Sequence, residues 1–254
     1  MWSVTRMPAP IVFDTEFSSL LHPSIWSVGL ITLDGKQECY VELSPDSDAG
    51  RARMDETPWD VRENVLELLG MVPGAAYESE SAIGLRVGEW VLGVAEASPD
   101  GRVELLYDYS VDYELLVGIL EDAGLWPAVR LVAGARNVGA ETSTIGPELA
   151  SEATYHALRK RPVPLYRHHA LGDAHALRQA WRTWHLIQHR PDEIGQLLAV
   201  AGQAREGWLY AWLATPAPAL GGRTPLDALD QADGLQAAVE ALVEVMERIE
   251  GASR

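Results

Sequence analysis

The sequence predicts an α/β fold, with a mixed sheet and flanking helices over residues 1–190 and a small all-α domain over residues 191–254. Three observations favour this interpretation. Apolar strand-like runs come first along the chain and then alternate with helical periodicity, an order typical of helices packed on a mixed sheet. Two early runs are joined by Asp34-Gly35, which is a strong hairpin signal. Pro191 follows a long helical pattern, and the composition then changes.

The expected elements of the first domain follow from local pattern. The run at 10–13 is apolar and predicts a buried strand, and the runs at 24–33 and 36–43 alternate as the two arms of the hairpin. Two polar segments, residues 44–57 and 71–80, are expected to be loops bordering a substrate channel. The remaining elements are helices at 58–69 and 81–97, a strand at 102–107, a helix at 111–122, a strand at 129–133, and helices at 147–158 and 173–189.

The C-terminal segment is expected to be helical throughout. Helical patterns cover residues 193–204 and 206–213, and apolar residues between Leu235 and Ile249 recur at spacings of four and three, which makes one helix face. Thr224-Pro225-Leu226-Asp227 predicts a helix start, with Thr224 as the N-cap. A unit of about 65 residues buries little surface alone, so it should dock on the first domain or on a partner.

Composition limits the class of protein. The single cysteine, Cys39, excludes an intrachain disulfide and is expected to be a small buried residue. The N-terminal residues lack the order of a signal peptide, and no run reaches the roughly 20 apolar residues of a membrane span, so a cytoplasmic location is expected.

Charge is distributed unevenly along the chain. A net charge of −17 opposes broad, non-specific binding of nucleic acid. Residues 159–190 are nevertheless rich in arginine, and a local positive strip there would suit a short single strand recognised by its end. The alternative is that these arginines are ordinary charges on helix surfaces.

Acidic residues mark strand ends and helix starts. Asp14 and Glu16 follow an apolar run at a spacing of two, so in a strand both side chains project to one face. Asp112 lies near a strand-to-helix junction, and Asp173 lies in the first turn of a predicted helix, where the helix dipole favours a carboxylate. Paired carboxylates repel unless a proton or a hard cation such as Mg²⁺ lies between them, which makes these residues candidate metal ligands.

Together with His168, these residues resemble the three sequence motifs of the DEDD superfamily of 3′-5′ exonucleases. The spacing His-x4-Asp is similar to the histidine subtype, and Asp-Thr-Glu-Phe is similar to its small bacterial exoribonuclease branch. The resemblance implies a ribonuclease H-like fold and release of nucleoside monophosphates from the 3′ end of single-stranded RNA or DNA, with RNA preferred. It implies two Mg²⁺ or Mn²⁺ ions held by Asp14, Glu16, Asp112 and Asp173, with His168 as general base.

The same resemblance suggests residues near the substrate. The set of candidates is Thr15, Phe17, Asp108, Arg167 and His169. Phe17 would stack on a terminal base or, alternatively, pack in the core. Asp108 stands where many relatives have Asn or His, so it is either a group supporting the ligands or a sign of drift. His169 competes with His168 for the role of base. His185 and His189, at a helical spacing of four, lack a third zinc ligand in sequence, so a solvated face is expected there.

The C-terminal segment resembles a different family. The string from Trp212 to Leu226, with Thr-Pro-x-Pro-x-Leu-Gly-Gly-Arg-Thr-Pro at its centre, is similar to the C-terminal toxin-binding domain of MbcA/ParS/Xre antitoxins, although Ala217 replaces an asparagine often found there. That resemblance implies a toxin enzyme, commonly of the RES type, as partner, or self-association. A non-catalytic interaction protein is therefore the alternative function. The candidate partner-binding residues are Trp212, Leu220, Gly221, Gly222 and Arg223.

Overall fold

The computed structural model describes residues 9–252, and it has an α/β architecture with one mixed six-stranded sheet. The strand order is β4-β3-β2-β1-β5-β6. β2 runs antiparallel to its two neighbours, whereas β5 is parallel to β1 and β6, and β4 is parallel to β3. The strands are β1 (Ala9–Phe17), β2 (Ile25–Thr32), β3 (Glu38–Leu43), β4 (Ala76–Tyr77), β5 (Val103–Tyr107) and β6 (Ala133–Asn137).

Twelve α-helices accompany the sheet in the described range. They are α1 (Asp48–Glu56), α2 (Trp59–Asn64), α3 (Glu80–Ala97), α4 (Ser110–Asp122), α5 (Trp126–Val132), α6 (Gly139–Thr142), α7 (Ile145–Leu158), α8 (Ala170–His189), α9 (Pro191–Ala201), α10 (Glu206–Leu213), α11 (Pro225–Leu229) and α12 (Gly234–Ala252). None of the helices described has the length and apolar composition that crossing a bilayer requires.

The first core forms where the central strands meet α3 and α4. Ile11, Phe13 and Leu105 of the sheet are at most 1 % exposed, and they belong to one cluster with Val87 of α3 and Leu116 of α4. The predicted hairpin is confirmed, with Gly35 at a positive φ of 72° in its turn. Cys39 is buried in β3, as expected, and burial raises the pKa of its thiol to about 11.

Two sequence predictions of local structure were wrong. Residues 44–57 contain α1, whose N-cap Ser47 accepts a hydrogen bond from the Gly50 amide, and the polar composition of this helix hid its periodicity. Residues 129–133 belong mostly to α5, which has Pro127 in its first turn. The helix predicted at 58–69 is confirmed in part, as α2 followed by a 3-10 turn. The first strand carries both carboxylates, as expected, and β1 ends at Phe17.

The described residues form two compact units. The divisions between them do not fall at the predicted boundary between residues 190 and 191. The first unit comprises the described residues up to Gly139 together with Pro162–His175, and the second comprises Ala140–Arg161 and the residues from Ala176 onward. The core of the second unit includes Ala150 of α7 and Leu186 of α8 along with the C-terminal helices. The sequence after Pro191 therefore packs with two helices that precede it.

The second unit is helical, and its predicted helix start is confirmed. Thr224 caps α11, and Thr224 and Asp227 exchange the two hydrogen bonds of a capping box. Behind that cap, Arg182 of α8 forms ion pairs with Asp227 and Asp230 at 2.6 Å each and donates to the Leu226 carbonyl at 2.7 Å. These contacts hold α11 against α8.

Candidate functional site

β1 places the first two carboxylates. Asp14 and Glu16 lie two residues apart in the strand, opposite Gly29 and Ser27 of β2. The pairing shifts at Glu16 and Phe17, so a bulge ends the regular ladder directly at the site. Phe17 is half-buried at this bulge. Bulges of this kind redirect side chains next to functional sites.

Asp112 comes to the site from the first turn of α4, as its position after β5 predicts. Its Oδ1 atom accepts a 2.7 Å hydrogen bond from the Thr15 hydroxyl, and both residues are buried. Thr15 is only 3 % exposed, so in this structure it supports Asp112 rather than presenting a surface to a substrate.

The third element is the segment 168–173 that enters α8. His168 has a φ of 64°, which places its backbone in the left-handed region at a cost of about 1–2 kcal/mol for a residue with a side chain. Its amide donates a 3.0 Å hydrogen bond to Asp173 Oδ2, and its side chain is exposed. Strain of this kind persists where the surroundings impose it, which is common at functional sites.

The structure brings the candidate ligands together as two groups. Oxygen or nitrogen atoms of Glu16, His168 and Asp173 all lie within 4.8 Å of one another. Asp14, Asp108 and Asp112 form the second group at the same limit. Asp108 is thus beside the carboxylates that the sequence assigned to metal.

Electrostatics link the two groups. Burial raises the pKa of Asp14 well above its usual range, and the carboxylates of Asp173, Asp112, Glu16 and Asp108 raise it further by repulsion. Burial and Asp173 likewise raise the pKa of Glu16. Burial raises the pKa of Asp112 to about 7, although the hydrogen bond from Thr15 opposes that shift.

The donor set fits divalent cations. Asp14 Oδ2 is buried and has no hydrogen-bond partner in the part of the chain that the structure describes. Hard cations such as Mg²⁺ and Mn²⁺ prefer carboxylate oxygens, and a cation placed among these groups would remove the repulsion that raises their pKa values. Glu16 and Asp173 would hold one ion, and Asp14, Asp108 and Asp112 would hold another.

His169 has surroundings unlike those of His168. It is 1 % exposed, and neither ring nitrogen has a hydrogen-bond partner among the described residues. Burial lowers the pKa of His169 to about 4. Its ring stacks on Tyr40 with centroids 4.3 Å apart. Because the ring is enclosed, His169 does not face the site as an alternative base.

The arginine-rich segment does not form one continuous strip. Arg178 and Arg182 are 5 % and 7 % exposed and are paired with Asp227. Arg190 pairs with Glu193 at 2.6 Å. Arg167 is exposed. The prediction of a local positive surface fails for the buried Arg178 and Arg182 because they form structural ion pairs with Asp227 of α11.

The C-terminal candidates fall into two kinds. Trp212 and Leu220 are 7 % and 5 % exposed and belong to the core of the second unit. Gly221 and Gly222 have positive φ angles of 65° and 81°, and with Arg223 they form an exposed turn. The Ala217 carbonyl accepts from the Gly222 amide at 3.0 Å, which closes this turn. The exposed part of the predicted partner surface is therefore the turn at 221–223.

Two residues of the site were missed by sequence reasoning. Gly29 lies opposite Asp14, and a side chain there would collide with the backbone of Ala170 and Leu171. Tyr40 supports His169 by stacking. No local pattern singles out either residue, because each acts through a contact with a segment more than 120 positions away.

Comparison with known proteins identifies one segment of the chain. Residues 196–251 match the family model of the antitoxin Xre/MbcA/ParS C-terminal toxin-binding domain. No curated protein and no solved structure gives a significant match. The segment 196–251, which contains the C-terminal helices, is thus similar to toxin-binding domains of the Xre/MbcA/ParS type.

Proposed function

We propose that this protein binds a toxin enzyme through its C-terminal domain. The observation that carries the proposal is the match of residues 196–251 to an antitoxin toxin-binding domain. The exposed turn formed by Gly221, Gly222 and Arg223 supports it, because the sequence resemblance assigns partner recognition to this turn. A RES-type enzyme is the partner that the resemblance favours.

Co-purification from the source organism tests the proposal. Tagged wild-type protein should retain a RES-type enzyme, identified by mass spectrometry and confirmed by titration of the two purified proteins. Arg223→Glu should weaken that binding, whereas Arg51→Glu, the same charge reversal at an exposed residue of α1, should leave it unchanged. Retention of no toxin enzyme by wild type would contradict the proposal, and equal retention by Arg223→Glu would exclude the turn from the interface.

The geometry of the acidic site favours a second function, hydrolysis of phosphodiesters from the 3′ end of a single-stranded nucleic acid. The support is the clustering of five carboxylates and His168 in two groups of ligand atoms within 4.8 Å. Raised pKa values and the unpartnered Asp14 Oδ2 are the properties expected of a site that cations complete. The mixed sheet is consistent with the ribonuclease H-like fold that the resemblance implies, and that fold is part of the proposal.

Each residue then has a chemical role. Two divalent cations would supply Lewis acidity toward the scissile phosphate when bound. Glu16 and Asp173 hold their ligand atoms together at one side of the site, and Asp14, Asp108 and Asp112 do so at the other. His168 takes the proton of a water whose oxygen attacks phosphorus. The bond from phosphorus to the 3′ oxygen of the preceding nucleotide breaks, that oxygen gains a proton from solvent, and a nucleoside 5′-monophosphate is released.

Cleavage of 5′-labelled single-stranded RNA and DNA tests this function. With Mg²⁺ or Mn²⁺ the wild type should produce a ladder that shortens from the 3′ end, faster on RNA, and EDTA should stop it. Asp14→Ala and His168→Ala should abolish the ladder, with a loss of about 10²–10⁴-fold for the histidine. His156→Ala, at an exposed histidine of α7, is the matched control. No cleavage of either polymer would contradict the nuclease proposal and leave toxin binding untouched.

A further inference from the structure

Three residues lie side by side across neighbouring strands next to the acidic site. Asp14 of β1 pairs with Gly29 of β2, and Gly29 pairs with Tyr40 of β3. Residues directly opposite each other in a sheet project to the same face. Because Gly29 has no side chain, a gap separates the side chains of Asp14 and Tyr40 on that face.

The backbone that enters α8 fills this gap. A Cβ atom at Gly29 would lie closer than van der Waals contact to Leu171 N and to Ala170 C. The segment 168–173 therefore rests directly on β2, between a proposed metal ligand and an aromatic ring. Only glycine at position 29 permits so close an approach.

The ring beside the gap is itself fixed. The Tyr40 hydroxyl donates a 2.7 Å hydrogen bond to Glu42 Oε2, and Glu42 Oε1 accepts from the Gly70 amide at 2.7 Å. Glu42 is fully buried. Tyr40 therefore presents a restrained ring face, and His169 stacks on it at 4.3 Å with an interplanar angle of 25°.

His169 contributes the shape of its ring and not hydrogen bonds from its nitrogens. Its ring is enclosed, and its nitrogens have no hydrogen-bond partner in the described part of the chain. The residue before it, His168, has the left-handed backbone, and Asp173 in the next turn accepts the His168 amide. An anchored ring at position 169 thus fixes the chain between the two groups that the proposed nuclease uses.

We propose that Tyr40 and His169 are positioning residues for the acidic site, their stacked rings holding the segment 168–173 over Gly29 so that His168 and Asp173 reach Glu16. This inference rests on the proposed nuclease function. Neither residue contacts the reacting atoms, and His169 needs an aromatic ring but not its nitrogens.

The test compares ring-retaining with ring-removing variants. His169→Phe keeps the stack, and Tyr40→Phe keeps the ring but loses its hydrogen bond to Glu42. His169→Ala and Tyr40→Ala remove the stack. Two quantities are measured for each folded variant: Mn²⁺ affinity by calorimetry, which needs no turnover, and kcat and KM on single-stranded RNA. Loss of a group that supports ligands typically costs 10–100-fold in metal affinity or activity.

The alanine variants should lose about 10–100-fold in Mn²⁺ affinity and in kcat, with KM changed far less. His169→Phe should stay close to wild type, and Tyr40→Phe should fall between wild type and Tyr40→Ala because its ring is no longer held by Glu42. If His169→Phe is as impaired as His169→Ala, the inference is overturned, because the site would then need the ring nitrogens of His169. If His169→Phe does not fold, the Tyr40 pair decides, and a Tyr40→Phe variant as impaired as Tyr40→Ala would overturn the inference.

The two proposals fail in different ways. If the wild type cleaves and the alanine variants are unimpaired, the positioning role is contradicted and the nuclease proposal stands. If the wild type binds Mn²⁺ but cleaves neither polymer, the nuclease proposal is contradicted. The Mn²⁺ affinities of the variants then still decide the positioning role. A wild type that neither cleaves nor binds Mn²⁺ overturns both.

Discussion

The Thr15 hydroxyl donates a 2.7 Å hydrogen bond to Asp112 Oδ1, joining β1 to the first turn of α4. Thr15 lies between Asp14 and Glu16 in sequence, so the strand that carries two candidate ligands also orients a third. The bond satisfies one oxygen of a buried carboxylate and opposes the rise of its pKa.

Thr15→Val should therefore destabilise the protein by about 1–3 kcal/mol, because it leaves a buried acceptor without its donor at nearly constant volume. Thr15→Ser, which keeps the hydroxyl, should recover most of that loss. Urea denaturation followed by circular dichroism measures both. Equal stability of Thr15→Val and wild type would mean that water or another donor replaces the threonine.

The raised pKa of Asp112 predicts a pH dependence of stability in the absence of metal. A carboxyl with a pKa of about 7 when folded and about 4 when unfolded binds more protons in the folded state between those values, so stability falls as pH rises from about 4 through 7. Melting temperatures in EDTA should decline over that range, and Mg²⁺ should restore more stability at pH 8 than at pH 5. Asp112→Asn should flatten the decline, and an unchanged slope would exclude Asp112 as its source.

Gly29→Ala tests whether the segment 168–173 depends on its close contact with β2. The new methyl group would collide with backbone atoms, so we expect a loss of about 1–3 kcal/mol and weaker Mn²⁺ binding. Gly118→Ala in α4, where a Cβ meets nothing within 4 Å, is the control and should stabilise the protein by about 0.5–1 kcal/mol. Identical effects of the two substitutions would mean that the backbone at 170–171 moves aside freely.

Local pattern and the family resemblance together predicted which residues of the acidic site lie near one another. A spacing of two in a strand and a position in the first turn of a helix both depend on near neighbours, and the structure brings Asp14, Glu16, Asp112 and Asp173 together with His168. The contributions of Gly29 and Tyr40 could not be predicted, because they depend on strand register and on a segment distant in sequence.

Misassigned elements have similar physical causes. Val129-Arg-Leu-Val-Ala133 has the β-branched composition of a strand, but Pro127 lies in the first turn of a helix whose Val129 is buried. The strand that follows, β6, is a mostly exposed edge strand, so it has no apolar run to reveal it. The basic segment likewise looked like surface because the acidic partners of Arg178 and Arg182 lie more than 40 positions later.

Removing the Arg182 side chain should be among the most damaging single changes in the second unit. Burial pushes the pKa of Asp227 upward, but Arg182, the Thr224 hydroxyl and Arg178 outweigh burial and hold that pKa at about 2, so Asp227 is charged at neutral pH. Arg182→Ala would leave Asp230 without its cation, Asp227 with Arg178 alone and the Leu226 carbonyl without its donor, at a cost of about 1–3 kcal/mol. Arg248→Ala, which breaks an exposed pair with Glu244, should cost less than about 1 kcal/mol. Denaturation of the full chain in guanidinium measures both variants. These ion pairs hold α11 beside the turn at 221–223, which is the proposed toxin-binding surface. Arg182→Ala should therefore also weaken toxin binding, whereas a stable variant that binds normally would show that the turn does not depend on α8.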